Sequence, residues 1–132
     1  MRYTITAHPT TYNGVNFRSR LEAQWAAYFD LLKISWDYKP VDLKGWTPDF
    51  SLKILGYDNV FVEVKPFYDE ATFRRIVAHC GNVPCVLAVA KGCLYLCSLE
   101  EGEPFWTENL CNKPSLWCEA GNRVQWRPNA YR

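Results

Sequence analysis

Hydrophobic positions recur at two different periods along this chain. Over residues 17–33 the apolar side chains Phe17, Leu21, Trp25, Tyr28, Phe29 and Leu32 return every three or four positions, which predicts an amphipathic helix. Residues 34–40 then alternate as a strand, with Trp36 and Tyr38 on one face and Asp37 and Lys39 on the solvated one. Alternation resumes at Phe50, Leu52 and Ile54 and again at Val60, Val62 and Val64. The turn-forming Gly56-Tyr57-Asp58-Asn59 between them predicts an antiparallel hairpin. A second helix is expected over residues 69–80, with Phe73, Ile76 and Val77 inward, Arg74 and Arg75 outward, and Gly81 and Pro84 ending it. Residues 85–90 are continuously apolar, as in a strand buried on both faces. The crossover helix before them implies parallel pairing with the Val60 strand. Lys91-Gly92 turns the chain into a last strand over residues 93–97.

The two ends carry weaker patterns. Tyr3-Thr4-Ile5-Thr6 fits a short strand, and Tyr12-Asn13-Gly14-Val15 is a turn signal. Residues 100–132 hold Trp106, Trp117, Trp126 and three prolines without a clear period. They are expected to form an irregular extension covering the core, with exchange onto a partner or base stacking by the aromatics as alternatives.

Composition narrows the class. The 132 residues are 48% hydrophobic and 16% aromatic, which calls for one packed domain spanning 1–132, its core over about 12–98, rather than a disordered chain. A net charge of +1 neither requires nor excludes nucleic acid, because basic residues on one face suffice for it. No apolar run reaches the length of a membrane span and no leader pattern opens the chain, so a cytoplasmic protein is expected. In that setting Cys80, Cys85, Cys93, Cys97, Cys111 and Cys118 are expected as buried free thiols. Their spacing lacks the paired motifs of a zinc site. His8, beside Pro9, is expected as a surface histidine, and His79, at a helix end, as a satisfied surface or capping one.

Candidate chemistry gathers between residues 46 and 65. The period of two puts Glu63 and Lys65 on the same strand face, about 7 Å apart. A carboxylate at the end of an apolar strand must be paired or bound to a metal. The hairpin brings Asp49 beside Glu63. On the first helix, Arg18 and Glu22 stand four apart, the spacing of an ordinary helix ion pair. The small neighbours Ala23, Ala26 and Ala27 let that helix approach a sheet closely, which would carry Glu22 to the strand acids instead.

Pro48-Asp49 followed by Glu63-Val64-Lys65 resembles the signature of the PD-(D/E)XK nuclease superfamily. The preceding Phe17-Arg18-Ser19-Arg20-Leu21-Glu22-Ala23-Gln24-Trp25-Ala26 resembles the acid-bearing first helix of its phage-type, transposase-endonuclease and junction-resolvase branches. The resemblance implies an α/β fold with a restriction-endonuclease-like core, a central mixed sheet flanked by helices in the order αβββαβ. It implies Glu22, Asp49, Glu63 and Lys65 as catalytic residues. Asp49, Glu63, the Val64 carbonyl and Glu22 would hold Mg²⁺ or Mn²⁺, hard cations suited to oxygen ligands. Arg18, Arg20, Arg74 and Arg75 are candidates for phosphate contacts, each equally readable as a solvated helix residue. The activity implied is metal-dependent hydrolysis of DNA, structure-selective at junctions, flaps or nicks, or directed by a partner protein, with a homodimer an open option and RNA an alternative substrate. A nuclease-like DNA- or protein-binding module without catalysis is the competing expectation. A structural or inhibitory phage-type protein whose acids only form ion pairs is a third.

Overall fold

The computed structural model describes residues 9–43, 45–54, 56–79, 85–100, 103–107 and 113–124. The expectations for residues 3–6, His8, Cys80, Gly81, Pro84, Cys111 and Trp126 lie outside them.

The chain opens on a hairpin. Strands β1 (Thr10–Tyr12) and β2 (Val15–Phe17) pair antiparallel, with Tyr12 opposite Val15. Asn13 and Gly14 make the turn at φ of 50° and 80°, the double left-handed conformation for which Asn-Gly is suited. Helix α1 (Arg20–Leu31) follows and is shorter than its apolar period. Phe17 ends β2 instead of opening the helix, because Ser19 takes the N-cap and accepts a hydrogen bond from the Glu22 N–H.

Six strands then form one mixed sheet in sequential order: β3 (Ser35–Tyr38), β4 (Phe50–Ile54), β5 (Tyr57–Val64), β6 (Cys85–Val89), β7 (Cys93–Glu100) and β8 (Glu103–Thr107). All neighbours are antiparallel except β5 and β6, which run parallel and are linked by helix α2 (Glu70–Val77). The β4–β5 reversal comes earlier than the Gly56–Asn59 stretch predicts. Ile54 already pairs with Tyr57, and a register shift beyond Leu52 absorbs the difference.

Two hydrophobic layers flank the sheet. On one face Trp25, Ala26, Tyr28 and Phe29 of α1 pack on Phe50, Leu52, Val60, Val62 and Val86. On the other, Phe73, Ile76 and Val77 of α2 pack on Trp46, Leu87 and Val89. β6 is buried along its whole length, as a central strand covered by helices on both sides must be. Its Cys85 is a buried cysteine; of the free thiols Cys93 is half-buried, and Cys118 is exposed where burial was expected.

The described residues of the C-terminal extension are not irregular. Residues 103–107 add the edge strand β8, and helix α3 (Pro114–Arg123) packs on α1, with Trp117 against the Trp25 and Tyr28 rings at 5.0 and 5.2 Å. Two local features hide these elements from a periodicity reading. Pro104 is disfavoured in a strand but tolerated at a sheet edge, and Gly121 and Asn122 weaken a ten-residue helix whose start Pro114 marks. Among the described residues no helix is long and apolar enough to cross a membrane.

Candidate functional site

The three acids singled out in the sequence are all buried. Glu22, Asp49 and Glu63 are 4%, 3% and 7% exposed. Each is positioned by a different element. Glu22 lies in the first turn of α1, where it accepts from the Arg18 N–H at 3.1 Å while Ser19 accepts from the Glu22 N–H. This reciprocal arrangement is akin to a capping box. Ala23, Ala26 and Ala27, all fully buried, allow α1 close enough for the Glu22 carboxylate to approach the sheet.

Asp49 sits just before β4 and is fixed through its backbone on two sides. Its N–H donates to the Val62 carbonyl and its carbonyl accepts from the Lys39 N–H, both at 2.8 Å. Its Oδ2 accepts from the Val64 N–H at 2.8 Å, which ties the side chain to the end of β5. Glu63 accepts from the Trp46 indole N–H at 3.0 Å and from Arg75 at 3.1 Å. Lys65 Nζ stands 3.7 Å from the same carboxylate, so Glu63 and Lys65 do share a face. The Lys65 backbone N–H donates to the Ala88 carbonyl, which anchors it beside β6.

These groups open onto one cleft of about 270 Å³, lined by Arg18, Gly45, Trp46, Thr47, Asp49, Glu63, Lys65 and Arg75. A larger groove of about 670 Å³ runs along β3, but its Asp30 is already engaged by the Tyr12 hydroxyl and the Trp36 indole. Glu22 meets the cleft through Arg18, whose Nη2 lies 2.6 Å from both Glu22 Oε2 and Asp49 Oδ1. The Arg18–Glu22 pair is therefore more than a helix-surface bridge. Arg18 precedes the helix and joins it to the strand acid. Arg75 also enters the cleft, whereas Arg20 is exposed at the start of α1 and Arg74 pairs with Glu70 on the outer surface.

Electrostatics follow from this crowding. Burial pushes the Asp49 carboxyl up to about 7, with the charges of Glu63 and Glu22 adding to the push and the Val64 N–H and Arg18 opposing it. Burial and the hydrogen bond to Glu22 raise the Tyr38 hydroxyl to about 12, so it stays a donor at neutral pH. Hydrogen bonding to Glu22 raises the pKa of Arg18 and keeps its guanidinium charged.

The acids do not close into a ready-made cage. Among the described residues no three His, Cys, Asp or Glu side chains gather closely enough to hold a metal ion. The three neighbouring buried carboxylates are instead paired with cationic side chains, Arg18 with Glu22 and Asp49, Arg75 and Lys65 with Glu63. Asp49 and Glu63 nonetheless supply two hard oxygen donors on one cleft, and Mg²⁺ is commonly held by one or two carboxylates with water and phosphate completing its shell. The donors suit such an ion in kind, with fewer than three gathered closely.

Two site residues went unassigned by the sequence pattern. Tyr38 donates to Glu22 Oε1 at 2.6 Å, and Trp46 donates to Glu63. Trp46 was legible in principle, since a buried indole N–H needs an acceptor. Its aim depends on the turn in which Leu43 and Trp46 exchange backbone hydrogen bonds at 3.0 Å around Gly45, whose φ of 87° suits glycine.

No protein-family model matches this chain, nor does any curated protein or solved structure.

Proposed function

We propose that the protein is a metal-dependent endonuclease that hydrolyses phosphodiester bonds in DNA, on a restriction-endonuclease-like core. The observation that carries the reading is the meeting of Asp49, Glu63 and Lys65 in one cleft beside two arginines, with Glu22 joined to it by Arg18. An αβββαβ order from α1 to β6 supports the core assignment.

In this reading Asp49, Glu63, the Val64 carbonyl and Glu22 hold a Mg²⁺ or Mn²⁺ ion. The bound ion supplies charge neutralisation at the phosphate and activation of the attacking water. The protein's own groups do the rest. Lys65, with its side chain 41% exposed to the cleft, orients the attacking water and offsets charge developing on the phosphate oxygens. Glu63 holds the Lys65 ammonium in place, and Trp46 and Arg75 fix the Glu63 rotamer. Arg18 and Arg75 are placed to bind phosphate. A cleft this small and this polar suits a backbone phosphate more than a base, which favours selection by DNA shape or by a partner protein over sequence readout.

One observation favours a second reading, a non-catalytic DNA- or protein-binding module: arginines already neutralise the buried acids. The discriminating experiment incubates the protein with supercoiled plasmid and with labelled junction, flap, nicked, single-stranded and RNA substrates, in Mg²⁺, Mn²⁺ or EDTA. Metal-dependent cleavage of at least one substrate is expected. Binding without cleavage across the whole panel would replace the nuclease with the module.

A further inference from the structure

One nitrogen of Arg18 lies 2.6 Å from an oxygen of Glu22 and 2.6 Å from an oxygen of Asp49. Those two oxygens are therefore within about 5 Å of each other. Divalent cations bond oxygen at about 2.0–2.6 Å, so an ion that bridged the pair would have to sit where the Arg18 nitrogen now lies. Two cations cannot occupy that place together.

We infer that Arg18 is a built-in counter-ion that fills the cation seat between Glu22 and Asp49, that a divalent ion must displace it, and that its exit delivers the guanidinium to the substrate phosphate. The inference rests on the nuclease reading and adds to it a competition within the site.

Three features make the exchange feasible. Arg18 is anchored by its backbone, whose N–H donates to Glu22 Oε1 and to the Tyr38 hydroxyl at 3.1 and 3.2 Å. Its side chain is 60% exposed, so the guanidinium leaves the seat into solvent without disturbing the core. Tyr38 continues to donate to Glu22 and the Val64 N–H to Asp49 once Arg18 has gone, so neither acid is stripped of hydrogen bonds. Arg75 and Lys65 differ from Arg18, since each makes its ion pair with Glu63.

A resident competitor lowers apparent affinity by the fraction of molecules whose seat is open. Removing it must therefore tighten ion binding, an effect opposite to that of removing a ligand or a phosphate contact. The test is calorimetric titration of Mn²⁺ into the full chain, parent and variants, without DNA. Arg18→Ala and Arg18→Gln are expected to bind Mn²⁺ about tenfold more tightly or better and to show a larger Mn²⁺-induced rise in Tm. Arg18→Lys, which keeps a cation, should stay near the parent. Adding Asp49→Asn to Arg18→Gln should abolish the gain. Arg18→Gln keeps polar contacts to both acids and serves where Arg18→Ala fails to fold. Equal or weaker binding by the Arg18 variants, with the parent still binding, would overturn the competition and leave the metal site standing. A gain that survives Asp49→Asn would also overturn it. Absence of Mn²⁺ binding in every protein would remove the metal site itself.

Discussion

Asp49 is a carboxylate that the fold buries beside two others, and its protonation links the site to stability. Its folded pKa, about 7, lies above the ordinary value of 3.8. Between those values the folded state keeps a proton that the unfolded chain has lost. Stability from this group is thus retained below about pH 4, falls as pH rises, and is fully lost above about pH 7. The loss is on the order of 4 kcal/mol at about 1.4 kcal/mol per pK unit. In EDTA, urea denaturation should show Asp49→Asn gaining on the parent as pH rises from 4 to 8, and Mn²⁺ should return the parent toward its low-pH stability. A difference between the two proteins that does not change with pH would contradict the electrostatic account. Glu63 and Lys65 were legible as residues because strand alternation places them, and Asp49 because the hairpin does. The hydrogen-bond partners Tyr38 and Trp46 were not, since they reach the acids across elements, from β3 and from the Gly45 turn.

Among the elements, the β4–β5 hairpin and α1 position the acids, while α3 supports α1 from outside. Gln24 of α1 donates to the Trp117 carbonyl at 3.1 Å, and the Trp117 ring closes over Trp25 and Tyr28. At the helix start, the Tyr28 hydroxyl accepts from the Lys113 N–H. Trp117→Ala should therefore cost roughly 2–4 kcal/mol, below the full range for a core tryptophan because the ring is half-buried. Urea denaturation gives the size, and hydrogen exchange gives the place: protection should fall in α1 as well as α3. A stability change under about 0.5 kcal/mol, the level of an ordinary surface substitution, would mean that α3 is not part of the cooperative unit. The strong periods of α1, α2 and β6 made those elements readable from sequence. α3 was not, because Leu116, Trp117, Ala120 and Val124 repeat too few times around Gly121 to stand out from a proline- and tryptophan-rich tail.

At the scale of the whole molecule, one mixed sheet carries a helical layer on each face and gathers acids from α1, the approach to β4 and the end of β5 into one neighbourhood. The sequence foretold the layers and the parallel β5–β6 pair. It offered the Arg18–Glu22 pair from helix spacing, but not that Arg18 would also reach Asp49 or that Arg75 would reach Glu63, because pairing of buried charge across elements is settled by three-dimensional packing and not by period. The central claim is catalysis by this neighbourhood, and Lys65 separates it from mere binding. Lys65→Ala leaves Asp49, Glu63 and Glu22 in place while removing the group assigned to the attacking water. The direct measurement is single-turnover cleavage of a branched duplex in Mg²⁺ by parent and variant, beside their affinities for the same duplex in Ca²⁺. Nearly equal affinities are expected, with a cleavage rate lower by about 10²–10⁴-fold in the variant; equal cleavage rates would rule out this role for Lys65.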